Sequence, residues 1–285
     1  MPNDDTPGPG LLPNSGLLDA ALTVPQVAQR LCKRDMREQD GCEWYHRAWP
    51  YLRLAGVCSN PGWHEKFYRD TLSDAYAHSR ERIMICGAAD FSMLALVTDT
   101  FQDSRPCHVS VLDACRTPLW ACVQYASQIK IRIGVIHSDI RTAQLRAGQV
   151  SVIVTDSFLT QFDANTVDQV VRKWHEVLAP KGSVITTVRL VRSERPVELP
   201  KAESIVEILK EKVGSLELNL GLDSRQMSDL LRQYNKRKRR NFQGSIGDLE
   251  RSFTAAGFEI CSTEVAMVDL SGARATYARI YARKA

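Results

Sequence analysis

The 285-residue sequence has no apolar run near the roughly 18 to 20 residues that a membrane helix requires, so no membrane partner is expected. Its eight cysteines, at positions 32, 42, 58, 86, 107, 115, 122 and 261, contain no C-x-x-C pair. That scatter reads as reduced thiols of a cytoplasmic protein, several of them buried; it argues against a disulfide framework and a zinc site, so no metal ligand is expected. A lysine-bearing phosphate loop, a nucleophile elbow and an H-E-x-x-H pair are also missing, which removes the common signatures of nucleotide hydrolysis, serine hydrolysis and zinc proteolysis. Residues 1–16 lack a basic start followed by an apolar stretch and are rich in Pro, Gly, Asn and Asp; they read as a flexible tail, not a secretory leader.

A basic surface is lacking as well. The net charge of +4 comes from one run, Lys236-Arg237-Lys238-Arg239-Arg240, without which the balance would be slightly negative. The run reads as the solvated end of a surface helix, and with no aromatic-basic stripe beside it nucleic acid is not the expected partner. Phosphate gripping by this run is kept as the alternative.

What is present is an ordinary soluble composition, 44% hydrophobic and 25% charged, arranged in two rhythms. Residues 17–79 have helical spacing, with Pro25 as a helix start, Asn60-Pro61-Gly62 as a break, and three of the five tryptophans; they read as a helical cap. From residue 80 to the C-terminus, β-branched runs alternate with amphipathic stretches. The runs are 83–86, 109–112, 131–136, 150–154 and 183–190. A helical insertion over about 193–244 follows, then strands at 258–265 and 276–282. The expected fold is α/β: a Rossmann-like, seven-stranded, mostly parallel sheet with an antiparallel C-terminal hairpin, a helical cap and a helical insertion after strand 5.

Ligands on such sheets sit beyond the carboxyl ends of the strands. There the chain places a small-residue turn, Cys86-Gly87-Ala88-Ala89-Asp90, and an acid at the end of three successive strands: Asp113, Asp139 and Asp156. Each acid alone could cap the following helix. As a set aligned with Gly87 they suit a nucleoside, with Asp113 accepting ribose hydroxyls and Asp139 an adenine amino group. A dinucleotide fingerprint requires glycines where this chain has Ala89 and Ser92, so a nicotinamide-dependent oxidoreductase ranks lower.

From Arg82 to the C-terminus, excluding the insertion, the chain resembles the class I S-adenosylmethionine-dependent methyltransferases. The matching segments are Ile83 to Phe91, Leu112-Asp113, Ser138-Asp139-Ile140, Val154 to Phe158, Trp174 to Ser183 and Phe253 to Phe258. The resemblance implies S-adenosyl-L-methionine as cofactor and methyl transfer to a small-molecule acceptor through O, N or C, in a pocket between core and cap. It places cofactor contacts at Gly87, Ala88, Ala89, Asp113, Ala114, Asp139, Ile140, Asp156, Ser157 and Phe158. Two departures stand out: Ile85 replaces the usual acid before the glycine, and Ala89 and Phe91 replace further glycines. Asp90 or Arg53 is expected to substitute at the cofactor's amino acid end.

Acceptor contacts are expected from the cap, at Tyr45 and Trp49 within one helical turn and at His64 and Tyr68 four residues apart, though aromatics at this spacing also form cores. His46 is the first choice for a general base, and Asp156 borders the expected position of the reacting methyl. His175 reads as structural. A binding module using residues 236–240 on an inactive methyltransferase-like scaffold is the alternative function, and a homodimer is left open.

Overall fold

The computed structural model describes residues 14–32, 41–78, 82–101, 107–190, 200–237, 244–270 and 273–285. The expected tail, through residue 13, and Lys238-Arg239-Arg240 of the basic run lie outside the described residues.

Seven strands form one sheet: β1 (Arg82–Cys86), β2 (His108–Asp113), β3 (Gly134–His137), β4 (Val150–Asp156), β5 (Leu178–Leu190), β6 (Phe258–Leu270) and β7 (Ala273–Lys284), in the order β3-β2-β1-β4-β5-β7-β6. β1 to β5 pair in parallel, and β7 runs antiparallel between β5 and β6. This is the expected sheet. Four consecutive residues of β1, Ile83 to Cys86, are buried, because a central parallel strand is covered on both faces and needs an unbroken apolar run. Ile83 pairs with Val109 on one side and Val152 on the other, so β1, β2 and β4 finish on one rim where the strand order reverses.

Helices α4 (Ser92–Thr100) and α5 (Arg116–Gln128) pack on one face, with α6 (Ala164–Val177) and α10 (Ile246–Ala255) on the other. Their starts are locally encoded. The Cys115 sulfur accepts from the Thr117 amide at α5, the Asp163 carboxylate from the Thr166 amide at α6, and Ser245 with Asp248 forms a capping box at α10. The N-terminal segment contributes α1 (Asn14–Leu31), α2 (Glu43–Ala55), a short 3-10 turn at Pro61–His64 and α3 (Glu65–His78). The insertion contributes α7 (Ala202–Val213), α8 (Leu216–Leu220) and α9 (Ser224–Arg237). α2 and the insertion share one apolar core, in which Leu52, Ile205, Leu231 and Tyr234 are fully buried. At about 1.5 to 3 kcal/mol for each large apolar side chain, that core holds the two segments together as a single cap.

Three sequence expectations are corrected. Pro25 does not start a helix; it sits inside α1, which has already begun at Asn14. β3 begins at Gly134, three residues late, because Ile131 and Ile133 pack against the core beneath α5 instead of pairing. The final hairpin is longer than its apolar runs, with pairing continuing through polar positions to Leu270↔Ala273.

Candidate cofactor and acceptor site

A cavity of about 1200 Å³ opens at the carboxyl ends of β1, β2 and β4 beneath α2 and α9. It exceeds the roughly 300 to 1,000 Å³ of an ordinary small-molecule pocket and has room for a nucleoside cofactor beside a second small molecule. Its wall includes Tyr45, His46, Trp49, Gly87, Ala88, Ala89, Asp90, Asp113, Asp156, Ser157 and Phe158, all marked from the sequence.

The floor is built by the turn after β1. Gly87 has φ +75°, and a Cβ there would lie 2.1 Å from Cδ2 of Phe158, whose ring covers the turn; both facts require glycine. Asp113 clamps this turn to the next: one carboxylate oxygen accepts the Ala88 amide at 2.9 Å and the other the Cys115 amide at 2.7 Å. Burial pushes the Asp113 carboxyl up to about 6 against the pull of those amides. Each oxygen has a second lone pair, so the group that shapes the turn can also accept hydroxyls from the cavity.

Asp156, at the end of β4, is held by three hydroxyls. Thr187 and Tyr68 donate to Oδ1 at 2.7 and 3.1 Å, and Ser59 donates to Oδ2 at 2.8 Å. Burial raises its pKa, and these hydrogen bonds oppose the rise. Ser157 next to it has φ +54°, a strained conformation for a residue with a side chain; Thr187 steadies it by accepting the Ser157 amide at its carbonyl, 3.0 Å.

Asp90 and Arg53 do not face the cavity as a free pair. Arg53 Nε and the Trp49 indole each donate to Asp90 Oδ2 at 2.9 Å, and the Ser92 amide donates to Oδ1 at 2.8 Å. Burial raises the Asp90 pKa, but Arg53 and these donors hold it below the ordinary carboxylate range. Arg53 also reaches the Ser92 hydroxyl, the Asn60 side chain and the Ser59 carbonyl, so its guanidinium is committed to joining cap and turn.

Several residues marked from the sequence lie off the cavity wall. Arg141 takes up Asp139 through its backbone amide and guanidinium, Ile140 is in the core, and the Ala114 carbonyl faces the His137 ring. Tyr68 is buried, its hydroxyl positioning Asp156 from behind. His64 is buried against Arg279, which donates to Nδ1 at 3.2 Å; burial and that cation push its pKa down to about 3. His175 packs against Gly257 and Phe258, away from the cavity.

His46 reaches the cavity, but its Nδ1 lies 3.4 Å from the Cys32 sulfur and 3.6 Å from that of Cys115. Burial alone would lower its pKa; hydrogen bonds to Cys115 and Cys42 pull it up to about 10. His46 thus keeps its expected place at the cavity, with Nδ1 engaged by the sulfurs. Cys32, Cys42, His46 and Cys115 come together with all ligand atoms within 4.8 Å of one another.

Sequence reasoning missed other wall residues, among them Tyr234, Ser59 and Arg189. Tyr234 of α9 closes the roof, its ring 5.8 Å from Tyr45, which stacks at 5.0 Å on Trp49. Ser59 hydrogen-bonds both Asp156 and Ser157. Arg189, near the end of β5, is 7% exposed, and among the described residues its Nη2 has no hydrogen-bond partner. A lone arginine in the apolar run of β5 was the available signal. The exposed Lys236 and Arg237 also line the cavity, so part of the basic run faces the site.

No protein-family profile matches the chain, and no curated protein matches it. Solved structures do. A proposed sarcosine dimethylglycine methyltransferase from Galdieria sulphuraria is 9% identical over 94% of this chain and 98% of its own, with a TM-score of 0.53. A proposed O-methyltransferase from Nostoc punctiforme is 14% identical over 94% of this chain and 69% of its own, with a TM-score of 0.50. The cyclase SpnF is 12% identical over 95% and 94%, also with a TM-score of 0.50. With the strand order above, these similarities show that the chain has the class I, Rossmann-like methyltransferase fold.

Proposed function

We propose that this protein transfers a methyl group from S-adenosylmethionine to a small acceptor bearing an anionic group, inside the cavity between sheet and cap. The observation that carries the reading is the convergence of Gly87, Asp113 and Asp156 on one cavity at the switch point of the sheet. The wall fits the cofactor: Gly87, Ala88 and Ala89 add nothing larger than a methyl group to the turn, and Asp113 is a half-buried carboxylate with lone pairs left for ribose hydroxyls. The donor supplies a methyl already activated on a sulfonium.

The chain's own residues then position and exclude water. Asp113 orients the nucleoside end. The stacked Tyr45 and Trp49, with Tyr234, shield the cavity from above. Asp156, held by three hydroxyls, keeps one lone pair on Oδ2 for the acceptor or the amino acid end of the donor. Arg189 supplies a buried cation whose forked donors match a carboxylate or phosphate, and Lys236 and Arg237 add positive charge.

The fold alone does not decide the chemistry, since a cyclase shares it. The test is a screen of anionic small molecules for release of S-adenosylhomocysteine by the purified chain. Release dependent on Asp113 and Arg189 supports the reading. Cofactor binding with no turnover on any acceptor favours a different reaction on the same site.

A further inference from the structure

The cluster next to the cavity has a geometry of its own. Its donors come from the residue after α1 (Cys32), the residue before α2 (Cys42), the first turn of α2 (His46) and the turn after β2 (Cys115). The sulfur of Cys115 lies 3.6 Å from that of Cys32 and 3.5 Å from that of Cys42. His46 Nδ1 lies 3.4 Å from the Cys32 sulfur, 3.6 Å from the Cys115 sulfur and 3.1 Å from the Cys42 carbonyl oxygen.

These separations can be compared with those of a tetrahedral site. Metal–sulfur bonds of about 2.3 Å and a metal–nitrogen bond of about 2.05 Å set the sulfurs about 3.8 Å apart and sulfur from nitrogen about 3.5 Å. The four sulfur–sulfur and sulfur–nitrogen separations lie within about 0.3 Å of those values, all the donor atoms lie within 4.8 Å of one another, and the sulfurs are far from the roughly 2.05 Å of a disulfide. The outer contacts also suit thiolates. The Thr117 amide points at the Cys115 sulfur at 3.5 Å, and the Thr117 hydroxyl lies 3.1 Å from the Cys32 sulfur. Three sulfurs and one imidazole around a single closed centre select zinc, and their spacing is too small to enclose a multi-iron cluster.

We propose that Cys32, Cys42, His46 and Cys115 bind one structural zinc ion. All four positions are taken by protein, so the ion has no open site for substrate. It staples α1 and α2 to the sheet two residues beyond Asp113, whose Oδ1 accepts the Cys115 amide. The zinc thereby fixes the cap over the cavity and the carboxylate on its floor. The ligands were invisible as a motif because 83 residues separate Cys32 from Cys115, and the sheet closes that interval.

The full chain, purified without chelator, is predicted to carry about one zinc ion by elemental mass spectrometry. Chelated, reduced protein reconstituted with cobalt(II) should show the thiolate-to-metal charge-transfer band and strong visible bands of a tetrahedral site. Cys115→Ser should lose both signals, while Cys58→Ser, which removes a buried cysteine outside the cluster, keeps them. Because Cys115→Ser alone could misfold, the wild-type metal content and cobalt spectrum carry the test independently. Wild-type protein that neither contains zinc nor gives the cobalt bands overturns the proposal. So does a mass map showing a disulfide among these cysteines, or a cobalt spectrum that survives in folded Cys115→Ser.

Discussion

Arg53 on α2 and Asp90 in the turn after β1 meet at 2.9 Å, with side-chain exposures of 5% and 18%. The cap is thus tied to the turn that would hold the cofactor by a largely buried ion pair. Arg53→Ala strands Asp90 beside the Trp49 indole. It is expected to cost about 3 kcal/mol, as breaking a buried pair does, read as a lower midpoint in denaturant unfolding. Arg53→Met with Asp90→Asn should cost less than the two single changes together, because no uncompensated charge remains.

Gly87 is predicted to tolerate no side chain. Gly87→Ala combines a positive φ with a Cβ placed 2.1 Å from the Phe158 ring, so the ring must move off the turn. A loss of about 1 to 3 kcal/mol in stability is expected by thermal unfolding, with a larger loss in adenosyl-ligand affinity by calorimetry. Phe158→Ala in the same chain should restore part of the stability, since it removes the clash and leaves the backbone strain.

Much of this site was legible in the sequence. The apolar run 83–86, the single glycine after it and the acids at Asp113 and Asp156 are local signals: strand ends define a rim, and only small residues fit the turn. Asp139 carried the same signal but lies off the cavity wall, where Arg141, two residues on, donates to its carboxylate. Arg53 was noticed as a cation, but its partner was set by how α2 settles on the turn. Ser59, Tyr234 and the cluster of Cys32, Cys42, His46 and Cys115 depend on contacts between distant segments, which no local pattern encodes.

His64 gives the molecule an acid-sensitive point. It is neutral when folded, because burial and Arg279 hold its pKa near about 3, whereas the unfolded chain binds a proton near the ordinary value of about 6.5. Its contribution is fully present above the unfolded value and is lost as pH falls from there toward the folded value, at about 1.4 kcal/mol per pH unit. Asp113 acts in the opposite direction: its raised pKa adds stability as pH falls through about 6 toward the ordinary carboxylate value. The wild type therefore partly compensates. His64→Gln should flatten the acid limb of a stability-versus-pH curve, and Asp113→Asn should steepen it.

Arg189 is predicted to act on the acceptor and not on the cofactor. Arg189→Gln should raise the KM for an anionic acceptor by roughly tenfold or more, the equivalent of about 1.5 to 3 kcal/mol for a charge-assisted contact, while S-adenosylhomocysteine affinity stays within about twofold. Arg189→Lys should recover only part of the loss, because a point charge does not reproduce the forked donor. Equal loss of cofactor affinity would place Arg189 at the other end of the cavity.

The most direct test of the account is calorimetric titration of the wild-type chain and Asp113→Ala with S-adenosylhomocysteine. The wild type is expected to bind one ligand per chain with micromolar affinity, corresponding to about −8 kcal/mol, and Asp113→Ala to bind at least about tenfold more weakly. No heat of binding to folded wild-type protein at millimolar ligand, or equal affinity in a folded Asp113→Ala, would contradict it.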